Sequence, residues 1–121
     1  MIKRSRNLRK GFKAAVSGFR ETILIEKSFK AMLIITLVVV VAMFYFPTSR
    51  LEKIVLLATV IGVLVLELIN ATVERIMDFV NAGHSEEVRV IKDLMAAIVL
   101  LASVGAVIIG LMIFVPYIIS W

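Results

Sequence analysis

At 121 residues, 61% hydrophobic and 19% charged, with a mean hydropathy of +1.03, the chain is a single domain. Its apolar share exceeds the roughly 45–50% of soluble proteins, which excludes a water-soluble core of this size and indicates a small integral membrane protein. The absence of cysteine excludes disulfides, thiolate chemistry and Cys-ligated metal sites, and the net charge of +5 is unevenly placed.

Residues 1–30 carry nine basic and two acidic side chains, a local charge of +7, whereas residues 31–121 carry −2. A basic segment without a long apolar run is drawn to anionic lipid on the cytoplasmic leaflet. Its charged stretch is too long for a signal peptide, and no cleavage-site pattern follows it. With the rest of the chain in the membrane, nucleic acid is not an expected partner. Leu8, Phe12, Ala15, Val16, Phe19 and Ile23 recur at spacings of three and four. This predicts an amphipathic surface helix over residues 1–25.

Three membrane-spanning helices are predicted next, over 29–46, 52–80 and 88–119. The first is uncharged from Ala31 to Phe46 and is broken by Pro47-Thr48-Ser49-Arg50, read as a turn. The second runs without Gly or Pro from Gly62 to Gly83, and Asn81 to Glu87 reads as the second loop. The third carries Ala96, Ala97, Ser103, Gly105 and Gly110, small residues that suit close packing in lipid. Tyr117 and Trp121 suit the far interface. The basic residues place the N-terminal segment and the second loop in the cytoplasm and the Arg50–Lys53 turn outside, giving a multi-pass membrane protein.

Glu67, Asn70, Glu74 and Asp78 stand at spacings of 3, 4 and 4, within roughly an 80° sector of one helix. Glu67 lies ~20 Å from Ile54 along that helix, still inside a ~30 Å hydrocarbon core. A carboxylate there costs about 2.5–3.5 kcal/mol, so it is retained for function or paired with another helix. Glu74 and Asp78 reach headgroup level, near Arg89, Lys92 and Asp93 at the start of the third span. This combination points to a site for a divalent cation and phosphate, since Mg²⁺ takes carboxylate and phosphate oxygens and lysine binds phosphate. No glycine-rich nucleotide motif accompanies it, and His84 reads as a solvated loop residue. Packing of Glu67 and Asn70 between helices is the alternative. The protein would then be a non-catalytic oligomer whose carboxylates serve packing or ion passage. A third reading is an adaptor acting through the basic N-terminal helix.

The segment Glu67-Leu68-Ile69-Asn70-Ala71-Thr72-Val73-Glu74-Arg75-Ile76-Met77-Asp78, followed by Lys92-Asp93 and Ala96-Ala97, resembles the bacterial membrane diacylglycerol kinase family. That family includes the undecaprenol kinases of Gram-positive bacteria. Ile25-Glu26-Lys27-Ser28-Phe29-Lys30 and Phe12-Lys13-Ala14-Ala15 with Gly18 add to the resemblance, which covers residues 9–115. Asn70-Ala71-Thr72 and Ile25 depart from the common family pattern, and the chain's ending leans toward the Gram-positive branch. The resemblance implies a homotrimer in the bacterial cytoplasmic (inner) membrane with active sites between subunits on the cytoplasmic side, and phosphorylation of diacylglycerol or undecaprenol by ATP. It further implies that Glu67 is the general base, that Glu26 and Glu74 hold Mg²⁺, and that Asn70, Asp78, Lys92 and Asp93 lie near the nucleotide. Lys10 matches a basic residue of the surface helix.

Overall fold

The computed structural model describes residues 2–80 and 85–120. His84, the Asn81-Ala82-Gly83 stretch and Trp121 lie outside the described residues. Among the described residues four helices follow in order: α1 (Ile2–Ile25), α2 (Lys27–Tyr45), α3 (Arg50–Val80) and α4 (Glu86–Ile119). There is no strand among the described residues. The last three are long and apolar enough to cross a membrane.

The helix boundaries have local causes. Glu26 separates α1 from α2 with one extended residue, φ −91° and ψ 111°. Its N–H still donates to the Thr22 carbonyl at 2.8 Å, so the chain bends without losing its hydrogen-bond ladder. At the end of α2, Pro47 forbids helical geometry to the residue before it. Phe46 is accordingly extended at ψ 151°.

The turn after Pro47 is shorter than expected, because Arg50 already belongs to α3. Ser49 starts that helix with a reciprocal cap. Its Oγ accepts from Glu52 N–H at 3.1 Å, and Glu52 Oε1 accepts from Ser49 N–H at 2.9 Å. Ser85 does the same for α4 by accepting from Val88 N–H at 3.1 Å. Glu86 and Glu87 are therefore not loop residues but the first turn of α4, where acidic side chains complement the helix dipole.

The buried residues are few: Phe29 and Met43 on α2, Leu56, Val63, Glu67 and Ala71 on α3, and Val88 on α4, with Thr22 and Thr48. Many large apolar side chains remain exposed, Ile34, Val41, Leu101 and Met112 among them. Water would oppose such a surface and lipid would accept it. At the end of the bundle near Pro47, Tyr117 OH donates to Glu52 Oε1, and Phe46 packs 6.0 Å from Phe114 and 6.1 Å from Tyr117. Lys53 Nζ donates to the Thr48 carbonyl at 2.7 Å and lies 5.8 Å from the Phe44 ring centre. Thr48 Oγ1 in turn donates to the Met43 carbonyl at 2.7 Å.

Helix lengths decide where a site can form. α2 has 19 residues, about 28 Å, while α3 and α4 have 31 and 34, about 46 and 51 Å. The hydrocarbon core is about 30 Å thick, so α3 and α4 overshoot it. The overshoot lies at the end where they connect to each other, because α2 starts level with Glu67.

Candidate functional site

The level at which α2 starts beside α3 is marked by one hydrogen bond: Ser28 Oγ donates to Glu67 Oε2 at 3.4 Å. From Glu67 to Val80 another thirteen residues of α3, about 20 Å, stand beyond the start of α2. The polar stripe Glu67, Asn70, Glu74, Asp78 occupies this projecting segment. Its exposure rises along it: Glu67 is 8% exposed, Asn70 half-buried, and Glu74 and Asp78 exposed. The stripe therefore runs from an apolar interior to open solvent, a gradient matched to one apolar reactant and one water-soluble one.

Neighbouring elements meet α3 at three levels. Ser28 of α2 reaches Glu67. Above it, Glu21 of α1 lies 3.8 Å from Arg75. At the tip, Asp78 lies 3.7 Å from Lys92 of α4. Asp93, next to Lys92, accepts from Arg89 at 2.9 Å, and Arg89 also pairs with Glu86. All these ion pairs have exposed partners, so each contributes at most about 1 kcal/mol and yields readily to a ligand.

Glu26 stands two residues before Ser28, at the N-cap position of α2. Its carboxylate makes no cap hydrogen bond. The backbone thus brings together α2's first residues and α3's stripe, with Lys92 and Asp93 at the far end. Lys10 is not drawn in: it is exposed on α1 and forms no ion pair among the described residues. Among the described residues no three His, Cys, Asp or Glu side chains form a metal-holding group.

Two residues carry contacts that the sequence reading passed over. Ser28 sits in the Glu26–Lys30 segment and carries no periodic signal of its own, since its partner lies 39 residues away on α3. Arg75 stands among the stripe residues in sequence, yet its partner is Glu21 on α1.

The profile of the prokaryotic diacylglycerol kinase family matches residues 13–114. The chain belongs to that family. The match runs from the middle of α1 to the last turns of α4 and contains the whole polar stripe. The chain is also similar to an undecaprenol kinase of Bacillus subtilis (strain 168), with 30% identity over 107 residues, covering 88% of this chain and 87% of the relative. Membership of the diacylglycerol kinase family makes this a multi-pass membrane protein of lipid-kinase type, in keeping with its three candidate spans.

Proposed function

We propose that the protein phosphorylates the hydroxyl of a membrane lipid alcohol with ATP, using Glu67 as the base. The observation that carries this reading is a buried carboxylate on a membrane-spanning helix, with one hydroxyl, from Ser28, as its partner among the described residues. A helix-packing role would call for stronger donors than one hydroxyl at 3.4 Å.

In this mechanism the lipid lies in the bilayer with its hydroxyl at Glu67, and the nucleotide approaches along the exposed part of the stripe. The hydroxyl proton passes to Glu67 as its oxygen bonds to the γ-phosphorus. The bond from that phosphorus to the β–γ bridging oxygen breaks, and ADP leaves. Such a transfer depends on positioning and charge neutralisation more than on covalent help. Asn70, one turn beyond Glu67, orients the reacting groups. Lys92 exchanges Asp78 for phosphate, and Asp78 and Asp93 border the nucleotide. Lys10 contributes positive charge from α1.

Glu26 and Glu74 would hold Mg²⁺; both offer hard oxygen donors, Glu26 without a cap hydrogen bond, and Mg²⁺ characteristically combines one or two carboxylates with substrate phosphates. Bound there, the metal would neutralise phosphate charge. Glu74→Gln is expected to raise the Mg²⁺ concentration for half-maximal activity roughly tenfold. A Mg²⁺ titration of the variant that superimposes on wild type would refute the assignment.

The working unit is a homotrimer with its sites between subunits. Two features support this: the sparse core of the single chain, and the open surface of α4. A Cβ placed at Gly105 or Gly110 would meet nothing within 4 Å, so these small residues are free to pack against another copy. The helix α1 lies on the membrane surface with its exposed Leu8, Phe12 and Val16 in lipid and its basic residues among headgroups, and its charge supports a site on the cytoplasmic face.

The lipid is undecaprenol, by similarity to the Bacillus subtilis relative; diacylglycerol, after which the family is described, is the second reading. The deciding test is transfer of labelled γ-phosphate from ATP to each lipid in mixed micelles. Label on undecaprenol is expected. Label on diacylglycerol alone would reassign the substrate, and label on neither, from a folded oligomer, would overturn the kinase reading.

A further inference from the structure

The antiparallel helices α3 and α4 meet through polar contacts at both ends. At one end Tyr117 OH donates to Glu52 Oε1; at the other Lys92 Nζ lies 3.7 Å from Asp78. Asp78 stands 26 residues beyond Glu52 on α3, and Lys92 stands 25 residues before Tyr117 on α4. These are axial spans of about 39 and 38 Å, so the two contacts mark a single register of one helix on the other. We propose that Glu52 and Tyr117 are positioning residues for the phosphate transfer: their hydrogen bond holds that register, and with it the place of Lys92 and Asp93 beside the polar stripe. The roles of Lys92 and Asp93 rest on the kinase reading, whereas the register does not.

Between the two ends little else sets the alignment. Among the described residues no hydrogen bond or ion pair joins α3 to α4 between these levels. The helices leave a groove of about 370 Å³, whose lining includes Val60 and Val63 of α3 and Ser103, Ala106 and Gly110 of α4. A Cβ at Gly110 would meet nothing within 4 Å, so this glycine does not seat α4 against its neighbour. In lipid the hydrophobic effect does not draw helices together, and van der Waals fit and interhelical hydrogen bonds decide how they align.

The two contacts are unequal. Asp78 and Lys92 have side chains 76% and 42% exposed, and in the proposed transfer Lys92 leaves Asp78 for phosphate. The far contact is charge-assisted, and both of its partners are held before they meet. Glu52 Oε1 also accepts from Ser49 N–H at 2.9 Å, within the cap of α3. The Tyr117 ring stacks 6.1 Å from that of Phe46, which ties it to the end of α2. Once phosphate occupies Lys92, the Glu52–Tyr117 bond is the polar contact that keeps α4 aligned, about 38 Å along the helix from Lys92.

Tyr117→Phe removes the donor and keeps the ring against Phe46. In the full-length protein it is expected to raise KM for ATP about fivefold, with KM for the lipid and thermal stability close to wild type. Lys92 and Asp93 shift with α4, whereas Ser28 and Glu67 belong to α2 and α3. Glu52→Gln should stay within about twofold of wild type, because its amide oxygen can accept from both Ser49 and Tyr117. A fall in kcat and stability with both KM values unchanged would mark a purely structural bond and overturn the positioning role.

The register is read separately, without turnover. The chain has no cysteine, so spin labels at Phe79→Cys and Val90→Cys, both exposed, report the α3–α4 distance in labelled subunits diluted with unlabelled ones. Salt at about 0.5 M screens the exposed Asp78–Lys92 pair. Under it the wild-type distance should stay narrow and that of Tyr117→Phe should broaden. Identical distributions would overturn the proposal whatever the kinetics, and a broadened distance with unchanged KM for ATP would overturn it too. Wild type without transfer activity would overturn the kinase reading and leave the label distance to decide the register.

Discussion

Glu67→Gln is expected to lower the rate of phosphate transfer by about 10²–10⁴-fold while leaving the folded protein as stable as wild type or more so. Glutamine has the shape of glutamate and its amide oxygen can still accept from Ser28, so this contact between α2 and α3 survives. What it lacks is the ability to take a proton from a lipid hydroxyl. Removing a carboxylate from hydrocarbon depth also removes the cost of keeping it there, on the order of 2.5–3.5 kcal/mol. The two measurements together separate the readings. Activity lost with thermal stability retained identifies a functional carboxylate. Activity retained refutes the base, and activity and stability lost in parallel would mark Glu67 as a packing residue.

The largest effect on stability is expected at Phe29. It is 1% exposed, directly follows Ser28, and its ring lies 6.4 Å from that of Phe19 on α1. It is thus the apolar anchor of the α1–α2 junction, and the positions of Glu26 and Ser28 depend on it. Phe29→Ala should destabilise the protein by about 3 kcal/mol, the lower end for a buried phenylalanine. The lower end applies because an unfolded chain in lipid is already out of water, leaving lost packing as the main term. Unfolding in mixed micelles of increasing dodecyl sulfate content would measure it. Transfer activity should fall with it, and Phe29→Leu should restore most of both. A Phe29→Ala protein with wild-type stability would show that the junction is held elsewhere.

The three spans were legible because apolar composition and length suffice for them: Ala31–Phe46 contains no charge, and Pro47 announces its own break. The stripe from Glu67 to Asp78 was legible through the 3.6-residue period alone. Less visible were contacts joining different helices. The Glu52–Tyr117 hydrogen bond spans 65 residues, and no periodicity within either helix encodes it. Ser28 and Glu67 are 39 apart, and Glu21 and Arg75 more. The Ser49–Glu52 cap had a local signature, a serine three residues before a glutamate, but it was obscured by the preceding proline, which suggested a longer turn. Glu86 and Glu87 were placed in a loop for the opposite reason. Two acidic residues after glycine and histidine look solvated, although acidic residues are what a helix's first turn favours.

The polar groups at the α2–α3 connection bear on how the protein enters its membrane. Of the two segments flanking α2, residues 1–25 hold far more charge than the short turn after Pro47, so the turn is the cheaper one to translocate. Its backbone and side chains arrive largely satisfied: Thr48 with Met43, Lys53 with Thr48 and the Phe44 ring, Ser49 with Glu52. Those bonds form entirely within α2, the turn and the first residues of α3. A hairpin of two spans can therefore carry its own solvation shell through the hydrocarbon before α4 exists, and Tyr117 closes over Glu52 only once the third span has followed.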